Sequence, residues 1–257
     1  MTHNASYRRV LHKMGYYNYQ AGLIVRHLNQ EGRWNNHNRK CRDFIIKAVD
    51  ILRPSKITVL GSGWLLEFPV AEIAERTGKL ILADIVHPPE VINQTADIKN
   101  IELLESDLTG GLIEEVWKKT SGCIFFNRLK FVSEICIPDF DMPDPGLVIS
   151  LNLLTQLEIL PVKLLRRKTL LTEESFVQFS RAVQEKHIEF LERHSSVLIS
   201  DTAELIIDKK GNKTERATLK TTLPVGKLKD EWIWDFDLKG RDYNQKRSVF
   251  RMTAIMF

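Results

Sequence analysis

Cysteine is scarce in this chain: Cys41, Cys123 and Cys136 are the only three among 257 residues, and none stands in a CxxC pair. An odd, sparse count does not build a disulfide framework and suits a reducing compartment. Long apolar runs are missing too. The most apolar stretch, 146–165, is broken by Asn152, Gln156, Glu158, Pro161 and Lys163, which argues against a membrane span. The opening MTHNASYRRV has no apolar signal core, so a cytoplasmic protein with no membrane partner is expected. Neither sign of charge dominates: 37 Lys and Arg against 33 Asp and Glu leave +4, too mild to require a polyanionic partner, although a local basic face stays open. Acidic residues are absent before Glu31, whereas Arg8, Arg9, Lys13 and Arg26 are present. That stretch reads as a solvated helical face; the sharper readings are a basic lid over an anionic substrate or a targeting segment, and Tyr16, Tyr17 and Tyr19 weigh against targeting.

What is there is a globular composition, 43% hydrophobic and 27% charged, in a chain long enough for one large domain or a domain with a cap. Residues 1–53 read as helical and as an N-terminal cap: Phe44, Ile45, Ala48, Val49 and Leu52 recur at helical spacing just before Pro54. From 54 to 257 the pattern is that of one sheet domain. Strands at 57–60, 80–84, 101–104 and 147–151 alternate with helices at about 65–77 and 111–119, which predicts a parallel sheet with helices on both faces. The segment 121–146, with its CIFF run and acidic PDFDMPDPG tail, reads as an insertion near a pocket mouth. Residues 152–170 read as helical up to Pro161 and irregular beyond it, and Thr172 caps a helix that puts Phe176, Phe179, Val183, His187 and Leu191 on one face. The last third is β-rich, with 196–208, 231–238 and 248–257 suiting an antiparallel finish.

The chemistry sits at the strand ends. In ITVLGSGWLLEFP, Gly61, Ser62 and Gly63 form a turn that lets a ligand approach the backbone closely, and the helix expected next would direct free amides at it. A GxG after a strand is equally a plain tight turn. A dinucleotide fingerprint needs a third glycine where Leu66 stands. Glu67 beside it disfavours a diphosphate and matches a cationic group such as an amino-acid ammonium. Asp84 ends the second strand, 23 positions after Gly61, where a carboxylate accepts hydrogen bonds from both ribose hydroxyls; its other reading is a cap or turn aspartate. Asp107 is placed to meet an adenine amino group, or simply begins the SDLTGG turn.

The order glycine turn, Asp84, Asp107, then LVISLNLL at 147–154 resembles the class I S-adenosylmethionine-dependent methyltransferases over roughly residues 55–257. That resemblance implies a three-layer α/β sandwich with a mostly parallel seven-stranded sheet and an antiparallel C-terminal hairpin. It implies S-adenosyl-L-methionine as cofactor, with Gly61 and Gly63 against its methionine end, Asp84 on the ribose, Asp107 near the adenine, and Ser150 and Asn152 facing the transferable methyl. The chain departs from the pattern by lacking an acidic residue before Leu60, an NPPY-type motif and a Pro-Cys nucleophile, since Cys136 sits in ICIPDF; covalent cytosine methylation is therefore not expected. Methyl transfer from a sulfonium needs alignment and desolvation first, and a base only where the acceptor loses a proton. The catalytic candidates are Asn152, which can orient an acceptor, and His87, which follows Asp84 in a proline-rigid turn.

Other positions have plainer readings. His187 on its apolar stripe reads as a core histidine. Asp139, Asp141 and Asp144 read as a solvated loop rather than a cation site, so no metal is assigned. Trp232 and Trp234 share one strand face and read as packing. His27, Trp34 and His37 fall near the cap joint and could shape an acceptor pocket. A small-molecule acceptor is expected because a cap excludes water; Arg8, Arg9 and Lys13, or the hairpin residues Lys209, Lys210, Lys213 and Arg216, leave a nucleic-acid or protein acceptor open. A non-catalytic binding or assembly module and a nicotinamide-dependent oxidoreductase are the competing readings. Oligomeric state is not legible.

Overall fold

Runs such as ITVL, LILA and LVISL are apolar at consecutive positions, which demands strands covered on both faces. The computed structural model, which describes residues 4–121, 132–240 and 245–257, builds that arrangement. Three helices open the chain: α1 (Ala5–Met14), α2 (Tyr16–Asn29) and α3 (Asn35–Leu52). There follow β1 (Lys56–Leu60), α4 (Val70–Arg76), β2 (Lys79–Asp84), α5 (Pro89–Thr95), β3 (Ile101–Glu105), α6 (Leu112–Ser121) and β4 (Leu147–Leu151). Then come α7 (Ile159–Lys168), α8 (Glu173–Glu192), β5 (Ser196–Ile207), β6 (Lys213–Ala217), β7 (Leu228–Asp237) and β8 (Arg247–Met256).

The sheet runs β3-β2-β1-β4-β5-β8-β7. The five strands β1 to β5 are parallel where they pair, whereas β8 is antiparallel to both β5 and β7. These are the seven strands and the antiparallel finish expected. An eighth, β6, adds antiparallel pairing to the outer half of β5, from Ala203 to Ile207, through the turn at 209–212. The pleat divides the strand residues between two cores. Ile57, Val59, Leu147, Ile149 and Leu151 pack with α3 and α4. Leu60, Val148 and Leu198 pack with α1, α6, α7 and α8 on the other side. This is the three-layer sandwich. Within it α3 is a layer helix, burying His37, Cys41, Phe44, Ile45, Ala48 and Val49, while α2 buries no residue fully and lies across the strand ends.

Three local expectations change. The helix after the glycine turn does not begin at about 65; residues 62–69 are irregular and α4 starts at Val70. Pro69 restricts Phe68 to extended backbone, and Leu65 takes a left-handed φ of 57°, so no helix forms there. The helix near Pro161 begins at Ile159 rather than ending there, since a proline in the first helical turn removes an amide that has no acceptor in any case. In the expected insertion, residues 122–131, including Cys123, lie outside the described residues. The described part packs on α8, where Phe140 meets Phe190 edge-on and Arg193 donates to the Phe140 carbonyl. It lines neither of the clefts described below.

Candidate functional site

The C-terminal ends of β1, β2 and β4, with the loop after β3, open on one cleft beneath α2. It encloses about 1000 Å³ including its open mouth. Gly61, Gly63, Glu67, Asp84, Asp107 and Asn152 all line it, and Tyr16, Tyr19, Gln20 and Leu23 of α2 form its roof. The sequence candidates therefore converge, with three exceptions. Ser62 is buried with its hydroxyl unpartnered but does not line the cleft. Ser150 alternates onto the α8 face, where its hydroxyl meets His187 Nε2 at 2.8 Å; it does not face the cleft. His87 is buried with both ring nitrogens unpartnered, near enough for its charge to act on Asp84, and is absent from the lining.

The glycine turn is shaped by contact. Gly61 has φ 79°, and a β-carbon there would stand 3.0 Å from both the Leu151 carbonyl and the Leu153 side chain. The Gly63 amide donates to Asp84 Oδ2 at 2.7 Å, and the Ile85 amide to Oδ1 at 2.7 Å. Burial raises the Asp84 carboxyl above its ordinary value, and these amides oppose the rise. Each carboxylate oxygen keeps a second lone pair for a ligand hydroxyl. Asp107 starts the turn that is one of its two readings. Its Oδ1 accepts from the amide and hydroxyl of Thr109, while its Oδ2 is buried at the cleft. Burial, then the Asp107 charge, raise the phenols of Tyr7 and Tyr16 well above their ordinary value.

The cleft floor is a buried aromatic network. His37 stacks on Trp234 at 3.8 Å and 5°, and Trp232 Nε1 donates to His37 Nδ1 at 3.1 Å. Burial lowers His37 to about 3, so the ring is neutral and, with Nδ1 accepting, carries its proton on Nε2. The Asn152 side-chain nitrogen lies 3.2 Å from that Nε2 while its Oδ1 has no partner. Two donors do not bond, so the amide is satisfied by turning its oxygen to the imidazole, which directs the NH₂ at the cleft. Asn152 itself holds φ 50°, a strained value that asparagine tolerates better than most residues. Glu67 Oε1 lies 3.8 Å from His37 Nε2, and burial raises Glu67 to about 7. The position of His37 was readable only as "near the joint". The signal was available, since the apolar stripe of α3 extends back by helical spacing through Cys41 to His37.

A second cleft adjoins the first and shares Tyr19, Leu23, Gln156 and Trp234 with it. None of the basic residues singled out near the N-terminus lines the first cleft, and Arg26 lines the second. Arg8 faces Glu105 at 3.8 Å, Lys13 lies over Trp117, and Arg26 lies over Phe236. Asp139 pairs with Lys186 and Asp144 with Lys56.

No protein-family model matches the chain, and no curated protein matches it. Solved structures align with it at low identity over most of its length. One is the Burkholderia thailandensis 1,6-didemethyltoxoflavin-N1-methyltransferase with bound 1,6-didemethyltoxoflavin and S-adenosylhomocysteine, at 13% identity and TM-score 0.44, over 100% of this chain and 91% of that one. Another is the DhpI complex with S-adenosylhomocysteine, at 10% identity and TM-score 0.35, over 96% and 98%. The methyltransferase domain of bacterial CtHen1 matches at 10% identity and TM-score 0.33, over 83% and 95%. In strand order and antiparallel ending, this chain has a Rossmann-like α/β fold with a mostly parallel sheet.

Proposed function

We propose that the chain binds S-adenosyl-L-methionine in the first cleft and transfers its methyl group to a small-molecule acceptor. The observation that carries this reading is the convergence of Gly61, Gly63, Asp84, Asp107 and Asn152 on one cleft roofed by α2. The residues fit the cofactor's chemistry. The buried Asp107 carboxylate, approached by the Tyr7 phenol, keeps acceptor capacity for a donor such as an adenine amino group. Asp84 takes the ribose hydroxyls, pre-oriented by two backbone amides. Glu67, raised to about 7 by burial, is a carboxyl that an ammonium would return to its ionised form. Gly61 leaves room where a side chain would collide.

When bound, the sulfonium supplies an electrophilic methyl and a neutral leaving group. The chain's contribution is position and dryness: α2 excludes water, and Asn152 presents a donor NH₂ fixed by His37 and Trp232. Residues 16–29, forming α2, act as the cap in this reading, while α1 and α3 pack in the layers of the sheet domain.

Calorimetric titration with S-adenosylmethionine, S-adenosylhomocysteine and NADH tests it. Micromolar binding of the first two with NADH silent is the expected result. Silence from all three overturns methyl transfer and favours a non-catalytic module.

A further inference from the structure

The second cleft has a chemistry that cofactor binding does not use. Its walls are aromatic and aliphatic, with Trp234, Phe236, Phe250 and Phe176 among them, and it encloses about 1710 Å³ including its open mouth. Glu158 and Asp201 line it as well, and both carboxyls are more than nine-tenths buried. Glu158 Oε1 is held by Gln184 Nε2 at 2.8 Å, whereas Oε2 is buried with no partner. Gln184 is locked in turn: its Nε2 also donates to the Thr218 carbonyl at 3.1 Å, and its Oε1 accepts the Lys220 amide at 2.7 Å. Asp201 Oδ1 accepts from Thr155 Oγ1 at 2.5 Å. It sits where the register between β5 and β8 shifts, between Asp201 and Ala203. A second shift, between Trp234 and Asp237, lies beside Phe236. Bulges re-aim side chains next to sites, and here two of them border one cleft.

A buried carboxylate oxygen with no donor is costly unless a ligand supplies one. A flat apolar ligand matches the aromatic walls at Phe250 and at the ring edges, since Arg26 and Arg166 lie over the faces of Phe236 and Phe176 and His37 stacks on Trp234. We propose that the second cleft binds an aromatic N–H compound, with its N–H directed at Glu158 Oε2, and that Glu158 is the base that takes that proton during methylation. The transfer step rests on the methyl-transfer reading above; the binding site does not. In that step the ring nitrogen's electron pair forms the new N–CH₃ bond as the carbon–sulfur bond breaks. The electrons of that bond return to sulfur, and the N–H proton passes to Glu158. Gln156 lines both clefts. Gln184 is a positioning residue, acting through Glu158.

Burial, reinforced by the Asp201 charge, raises Glu158 to about 8. The charged groups lining the cleft are Asp201 from β5, Arg216 from β6, Lys220 from the loop after it, Arg166 and Glu173 from α7 and α8, and Arg26 from α2. Arg166 and Glu173 pair with each other, and Arg216 pairs with Glu204. Ionised Glu158 accepts an N–H more strongly than the protonated acid, so binding should strengthen as pH rises through about 8.

The test uses indole, benzimidazole and their N-methyl counterparts as probes, read by saturation-transfer NMR and calorimetry on the full chain with S-adenosylhomocysteine present. The N–H compounds should bind, should bind at least fivefold more tightly at pH 9 than at pH 6, and should outcompete the N-methyl forms. Glu158→Gln should abolish the pH dependence and leave S-adenosylhomocysteine affinity within twofold. Val177→Trp, which enlarges a cleft-lining side chain on the exposed face of α8, should block the probes and spare S-adenosylhomocysteine. No probe binding, equal binding of N-methyl forms, or an unchanged pH profile in Glu158→Gln overturns the proposal. Probe binding that follows these expectations in a protein silent to S-adenosylhomocysteine would overturn methyl transfer and the proton step, and leave the N–H site standing.

Discussion

At the scale of single residues, the cleft was half legible. Asp84 was legible as a cleft-lining position because a parallel strand delivers its C-terminal residue to the sheet edge, and Asp107 because it follows β3 by two positions. Ser150 was misplaced because strand-end position was weighed without the pleat. Leu147, Ile149 and Leu151 face α3 and α4, so Ser150 must face α8. Asp84→Ala should weaken S-adenosylmethionine binding at least 100-fold by calorimetry, with the fold retained by circular dichroism; unchanged affinity would remove Asp84 from the site. His37 supports a second prediction. Its folded value, about 3, lies below its ordinary 6.5, so the unfolded chain binds the extra proton between those limits. Its contribution is fully present above about pH 6.5 and is lost as pH falls towards 3. The melting temperature of His37→Asn relative to the parent should therefore improve from pH 7 to pH 4.5. A difference independent of pH would refute a buried neutral imidazole.

At the scale of elements, the strands were read more securely than the helix boundaries. Strand runs are defined by burial on two faces, and that pattern is local. Helix starts depend on prolines whose effect reverses with position: Pro69 delays α4 to Val70, while Pro161 sits inside the first turn of α7. The eighth strand was missed because β6, KTERA, is exposed at every residue and shows no apolar alternation. Where β4 begins, Gly146 holds φ 71°, and a β-carbon there would lie 2.2 Å from the Lys56 carbonyl oxygen and 2.8 Å from its carbon. Backbone blocks that approach on the β1 side, and the left-handed angle is itself unfavourable for alanine. Gly146→Ala should cost about 3 kcal/mol in urea unfolding, at the upper end of ordinary single substitutions. A cost below about 1 kcal/mol would mean that β1 and β4 can separate at this corner without loss.

At the scale of the whole molecule, the two clefts share the wall made by one helix that is only half-buried. Helix α2 supplies Tyr19 and Leu23 to both, and Arg26 to the second. Two bonds tie it to the sheet edge. Trp64 Nε1 donates to the Gln20 carbonyl at 2.8 Å, and Gln20 Nε2 reaches the Val86 carbonyl at 3.4 Å. Elements with little buried surface open at lower free energy than a sheet core, so α2 is the element through which a ligand would enter. Hydrogen exchange of the free protein should show the amides of α2 opening far more readily than those of β1 and β4. S-adenosylhomocysteine should slow exchange across 16–23, the stretch lining the first cleft, at least tenfold. Trp64→Phe removes the donor that holds Gln20, and should accelerate exchange in α2 while leaving β1 unchanged. If α2 is as protected as β1 without ligand, the clefts are reached by another route and the roof is a fixed wall.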